Sequence, residues 1–175
     1  MKSNILLVGL DYDYVECVAK ELSGIFDMRY LDIKGLISYN LIDEQQVLDK
    51  AGVEYYKAQV HKIVLGACEY ENAIINIPYD LFLDEKIEKE FKKTCLTLLL
   101  NLDKQTLALY DEKRDEADKN TLALIAYDEY TQLLIQKTTL QIESNCNIID
   151  TVNNVLDKLK NINLSELKWI LIKNV

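Results

Sequence analysis

Residues 5–22, ILLVGLDYDYVECVAKEL, set a continuous apolar run, Ile5–Val8, directly before Gly9, and a helical pattern follows within a few residues. An unbroken apolar run ended by glycine suits a strand buried on both faces. We therefore read a strand over Ile5–Leu10 and a helix near Tyr14–Ser23, with Gly24 as its C-terminal stop. A junction of this kind holds phosphate when its loop is glycine-rich and ends in Gly-Lys-Ser/Thr, because backbone amides and the lysine converge on the anion. Here Gly9 is followed by Leu-Asp-Tyr-Asp-Tyr-Val-Glu, with no second glycine, no lysine and no Ser or Thr.

The same alternation continues along the chain. Met28–Leu31, Ala73–Ile77, Cys95–Leu100 and Thr139–Ile142 read as strands, the last at an edge. Between them, Ile33–Ser38, Asp43–Lys50, Val53–Leu65, Asp84–Lys92, Gln105–Tyr110, Leu122–Gln136 and Ile148–Leu159 read as helices. Strands alternating with amphipathic helices predict a doubly wound α/β fold on a parallel sheet. Ligands in such sheets sit beyond the carboxyl ends of the strands, so the residues to question are Gly9–Tyr14, Asp32–Lys34, Ile77–Asp80 and Asn101–Lys104.

The bulk composition limits the function. The 175 residues fit one domain, 1–175, with a C-terminal helical extension at about 163–175, where SELKWILIKN (165–174) carries Leu167, Ile170 and Leu171 on one face. That helix packs on its own domain, or it supports a homodimer or a partner through Trp169. A net charge of −9 disfavours nucleic acid and anionic membrane surfaces, and no run of apolar residues is long enough to span a bilayer. Four scattered cysteines without a C-x-x-C pair, and one histidine, argue against a zinc site and for a reduced, cytoplasmic setting. Only Arg29 and Arg114 supply guanidinium forks, against eighteen lysines, which restricts bidentate phosphate or carboxylate grips.

The order of elements resembles the shikimate kinases, small P-loop kinases of nearly this length, over about residues 3–160. The resemblance implies a five-stranded parallel sheet of order 2-3-1-4-5. The family's glycine loop falls on Gly9–Cys17, where only its first glycine is present; its lysine falls on Val15 and its magnesium-holding hydroxyl on Glu16. The Asp-x-Asp pair of strand 2 matches Asp32-Ile33-Lys34, and the substrate-helix Phe-Arg matches Tyr56-Lys57. The triple glycine after strand 3 falls on Ile77-Pro78-Tyr79, the lid arginine on Arg114, and a later substrate arginine near Tyr130.

Three readings follow. In the first, the chain is non-catalytic, binds a protein partner or a small metabolite at the old cleft, and needs no cofactor. In the second, it is a divergent kinase that uses Mg-ATP to phosphorylate a small hydroxylated acid, with Asp32 on magnesium or substrate, Lys34 and Lys57 as cation contacts, and Arg114 closing over phosphate. In the third, the resemblance is coincidental and the chain is another doubly wound α/β binding module, for which a strand order other than 2-3-1-4-5 would decide. Asp11, Asp13 and Glu16 suit helix capping better than a metal site, since hard cations need several convergent oxygens. His61 is expected to be solvated or structurally hydrogen-bonded. Among eleven tyrosines, Tyr12, Tyr14, Tyr55, Tyr56, Tyr70 and Tyr79 are candidates for plugging the cleft or for meeting a ligand. The charged stretch 111–120 is expected to form a solvated lid.

Overall fold

The computed structural model describes residues 3–107 and 117–161, with 117–124 in backbone only. Five parallel strands form one sheet: β1 (Asn4–Val8), β2 (Arg29–Asp32), β3 (Ala73–Asn76), β4 (Cys95–Leu102) and β5 (Leu140–Ser144). Their order is β2-β3-β1-β4-β5, the order that the resemblance implies and not one that would decide for the third reading. Ile5 pairs with Ile74 on β3 and with Leu96 on β4, so β1 lies at the centre.

The continuous apolar run of β1 exists because this strand feeds two cores. Successive side chains point to opposite faces. Ile5 and Leu7 pack with α1 (Tyr12–Phe26) and α8 (Ile148–Lys160). Leu6 and Val8 pack with α2 (Ile33–Leu41), α4 (Val53–Gly66), α6 (Glu85–Thr94) and α7 (Ala117–Lys137). All four side chains are fully buried, each contributing about 1.5–3 kcal/mol by leaving water. Two further helices, α3 (Glu44–Ala51) and the single turn α5 (Tyr79–Phe82), lie on the α4 side, and α3 buries no residue completely.

Several boundaries differ from the sequence reading, among them the end of β1, at Val8 rather than Leu10. Helix α1 begins at Tyr12 rather than Tyr14, because Asp11 caps it. It also runs past Gly24 to Phe26, and Asp27 ends it in a left-handed conformation at φ 53°. Aspartate tolerates that region through its short polar side chain, so the stop signal lay three residues beyond the glycine. Strand β4 extends to Leu102, and the Pro78 that follows β3 leads into α5, a turn that the sequence pattern did not disclose. Arg114 and the C-terminal segment 163–175 lie outside the described residues, as does most of the charged stretch 111–120. Among the described residues, no helix is long and apolar enough to cross a membrane.

Candidate functional site

Three residues, Gly9, Leu10 and Asp11, connect β1 to α1, and packing closes this junction. A Cβ on Gly9 would lie 2.8 Å from Val15 Cγ2 and 3.0 Å from the Leu100 carbonyl oxygen, so α1 and β4 meet directly over the glycine. Asp11 is nearly buried and extended, and its Oδ1 accepts the Tyr14 N–H at 2.8 Å. The carboxylate thus occupies the positive end of the α1 dipole, where an external anion would otherwise be favoured. Tyr14 is fully buried in the core shared with α8. Its hydroxyl donates to the Asn145 carbonyl at 2.8 Å and shares a hydrogen bond with Thr151 Oγ1. Glu16 pairs with Lys20 at 2.6 Å on the helix surface, and Asp13 is exposed in the first turn.

Tyr12 joins this junction to the end of β2. Its hydroxyl donates to Asp32 Oδ1 and accepts the Lys34 N–H at 3.3 Å. The Lys34 ammonium lies 4.0 Å from the centre of the Tyr12 ring, a cation–π contact. Burial first, then the bond to Asp32, pushes the Tyr12 phenol well above its ordinary pKa, so it stays a donor at every physiological pH. The Asn76 side-chain amide donates to the Tyr12 carbonyl at 3.4 Å, fixing the start of α1 to β3.

Beyond Lys34 a cleft of about 600 Å³ opens between α2, α4 and α5. That volume lies in the range of small-molecule sites, roughly 300–1,000 Å³. Its apolar floor includes Ile37, Val60 and Leu81; its charged wall carries Lys34, Lys57 and Asp80. Glu44 accepts from Ser38 at 2.8 Å and from Tyr56 at 2.6 Å, latching α2, α3 and α4 together. This bond, more than burial, pushes the Tyr56 phenol up to about 12. His61 Nε2 meets Asp84 Oδ2 at 3.2 Å, and Asp84 also caps α6 by accepting the N–H groups of Lys86 and Ile87. Burial pushes the Asp84 carboxyl up, but those two N–H groups and His61 together outweigh it and hold the carboxyl below its ordinary range.

The architecture has solved counterparts. A shikimate kinase from Bacteroides thetaiotaomicron superposes with a TM-score of 0.73 at 14% identity, covering 90% of this chain and 98% of that one. The fold is shikimate kinase-like. A shikimate kinase from Acinetobacter baumannii, solved in complex with shikimate, gives a TM-score of 0.73 at 13% identity over 93% of this chain and 97% of that one. The likeness extends to other small-molecule kinases of the P-loop type: a gluconokinase from Sinorhizobium meliloti gives 0.59 at 11% identity over 95% and 96% of the two chains. No family model and no curated protein matches the sequence. At these identities the likeness is one of fold.

Within this shikimate kinase-like fold the candidate residues separate into two groups. Gly9, Asp11, Val15 and Glu16 gather at the junction with Asp13; Lys34 and Lys57 line the cleft. Asp32 faces Tyr12 rather than lining the cleft. Of the tyrosines, Tyr14 is core, Tyr12 and Tyr56 hydrogen-bond carboxylates, Tyr79 lies 5.5 Å from Tyr130 ring to ring, and Tyr55 and Tyr70 are exposed. His61 has a hydrogen-bonding partner rather than standing alone in solvent. The sequence reading did not mark Glu44 or Asp84 as cleft residues, and it reached Asp80 only as the end of the segment Ile77–Asp80 beyond the third strand. Asp84 was read only as the first residue of a helix, and nothing local tied it to His61. Among the described residues, no three His, Cys, Asp or Glu side chains gather to hold a metal ion.

Proposed function

We propose that this chain is a non-catalytic binding or regulatory module built on the shikimate kinase-like fold, taking its ligand in the cleft between α2, α4 and α5. The observation that carries the reading is the closed β1–α1 junction. Asp11 caps the helix with the chain's own carboxylate, and Val15 packs where the resemblance would put a phosphate-binding lysine. Phosphoryl transfer depends almost entirely on positioning and on neutralising phosphate charge. Asp11, Asp13 and Glu16 at this junction do the reverse, so the residues present do not fit Mg-ATP. Charge-assisted contacts are worth about 1.5–3 kcal/mol each, and their combined loss leaves little to hold a triphosphate.

The cleft, by contrast, keeps two lysines and an apolar floor, which supports binding without turnover. The test is an assay of ATP consumption by the purified chain with shikimate and with gluconate as acceptors. No turnover above a heat-denatured control is expected. Sustained phosphorylation of either acceptor, abolished by Asp32→Asn, would establish the divergent-kinase reading instead.

A further inference from the structure

We infer that the cleft takes a small amphoteric ligand, an α-amino acid with an apolar side chain, rather than a simple acid. The inference rests on the reading of the cleft as a ligand site and names the chemistry it selects.

Some of the charges lining the cleft are committed within the protein, and others are left to a ligand. Glu44 accepts from Ser38 and Tyr56, and Asp84 accepts from the first turn of α6 and faces His61, so the oxygens of both carboxylates are engaged within the protein. Three exposed charges remain on the wall: the ammonium groups of Lys34 and Lys57, and the Asp80 carboxylate. Lys34 is held by the Tyr12 ring and has no carboxylate in ion-pair range among the described residues. Lys57 has only a loose contact with Glu54, at 3.9 Å, with both side chains largely in solvent. Asp80 makes no ion pair among the described residues, and its charge is felt at the Tyr56 phenol inside the cleft.

A ligand carrying only a carboxylate meets the two lysines but also Asp80, of like sign. One carrying only an amine meets Asp80 but also both lysines. A ligand with both groups satisfies all three, and specificity of this kind comes as much from the repulsion of the wrong ligand as from attraction of the right one. The floor of Ile37, Val60 and Leu81 supplies apolar area for a side chain, and the volume of about 600 Å³ leaves room for an aromatic or branched one.

The experiment is calorimetric titration of the full chain with L-phenylalanine and L-leucine, beside 3-phenylpropanoate, 2-phenylethylamine and shikimate. At least one amino acid is expected to bind about fivefold more tightly than either singly charged analogue, the worth of one half-exposed ion pair. Asp80→Asn should erase the preference for phenylalanine over phenylpropanoate, and Lys57→Gln should weaken both together; circular dichroism confirms that each variant is folded. Phenylpropanoate or shikimate binding as tightly as the amino acids, with loss in Lys57→Gln, would overturn the amphoteric class and leave the cleft as a site for acids. No heat with any probe would overturn both the class and the cleft as a small-molecule site.

Discussion

The β1–α1 junction and the cleft adjoin at one end of the same sheet, and Tyr12 touches both, yet they are built in opposite ways. At the junction, Asp11 Oδ1 accepts the Tyr14 N–H, the Tyr14 hydroxyl meets Asn145 and Thr151, and a Cβ on Gly9 would run into Val15 and the Leu100 carbonyl. In the cleft, Lys34, Lys57 and Asp80 are exposed around an apolar floor. Packing, helix capping and the Glu16–Lys20 ion pair account for most of the residues at the junction. They do not account for charges of both signs converging on a concavity, and those are the residues on which a ligand would act.

Substitutions distinguish the two regions by where their cost appears. The largest effect is expected at Tyr14, where Tyr14→Ala removes a fully buried ring and should cost about 3–5 kcal/mol in urea unfolding. A loss under about 1 kcal/mol would mean that the junction is not packed as described. Gly9→Ala comes next, at about 1–3 kcal/mol, because the added methyl meets Val15 and the Leu100 backbone and neither moves freely.

Asp11→Ala should cost about 1 kcal/mol and Asp11→Asn much less, since asparagine caps as well. Equal losses in the two would point to the charge rather than the cap. Asp84→Ala, on the cleft side, should also cost about 1 kcal/mol near neutral pH as a lost cap. The folded Asp84 carboxyl lies below its unfolded value, so its contribution is present above about pH 3.9 and is lost as pH falls through the folded value. The gap between wild type and Asp84→Ala should therefore close on titration toward about pH 2; a gap that stays constant would remove the ionised carboxylate from the account. Lys57→Gln is expected to shift stability by less than about 0.5 kcal/mol while still changing ligand affinity, which is the signature that separates the cleft from the junction.

Much of the architecture was legible from periodicity, since Ile5–Val8 and Cys95–Leu100 announce strands buried on both faces and Asp84 announces a helix start. The strand order came from the resemblance, and local pattern does not contain it. Gly24 misled because a glycine inside a helix costs about 1 kcal/mol at most, a price the buried Val15, Val18 and Leu22 offset. At the junction, the missing glycines and lysine were readable, and so was the capping role of Asp11. That Tyr14 reaches Asn145 and Thr151 was not, because those contacts cross more than 130 positions of chain. The cleft was half legible for the same reason. Lys34 and Lys57 stood out against the resemblance, whereas Asp80 and the pairing of His61 with Asp84 exist only once α4, α5 and α6 are folded together.

The closed junction is tested most directly by thermal unfolding of the purified chain with and without millimolar Mg-ATP. A nucleotide at 100 times its dissociation constant would add about 2.7 kcal/mol and raise the midpoint by about 5–10 °C. Coincident melting curves are expected. A saturable rise that disappears in Asp11→Lys less readily than in Lys34→Gln would mean that nucleotide enters through the cleft, and any saturable rise at all would contradict a junction closed to phosphate.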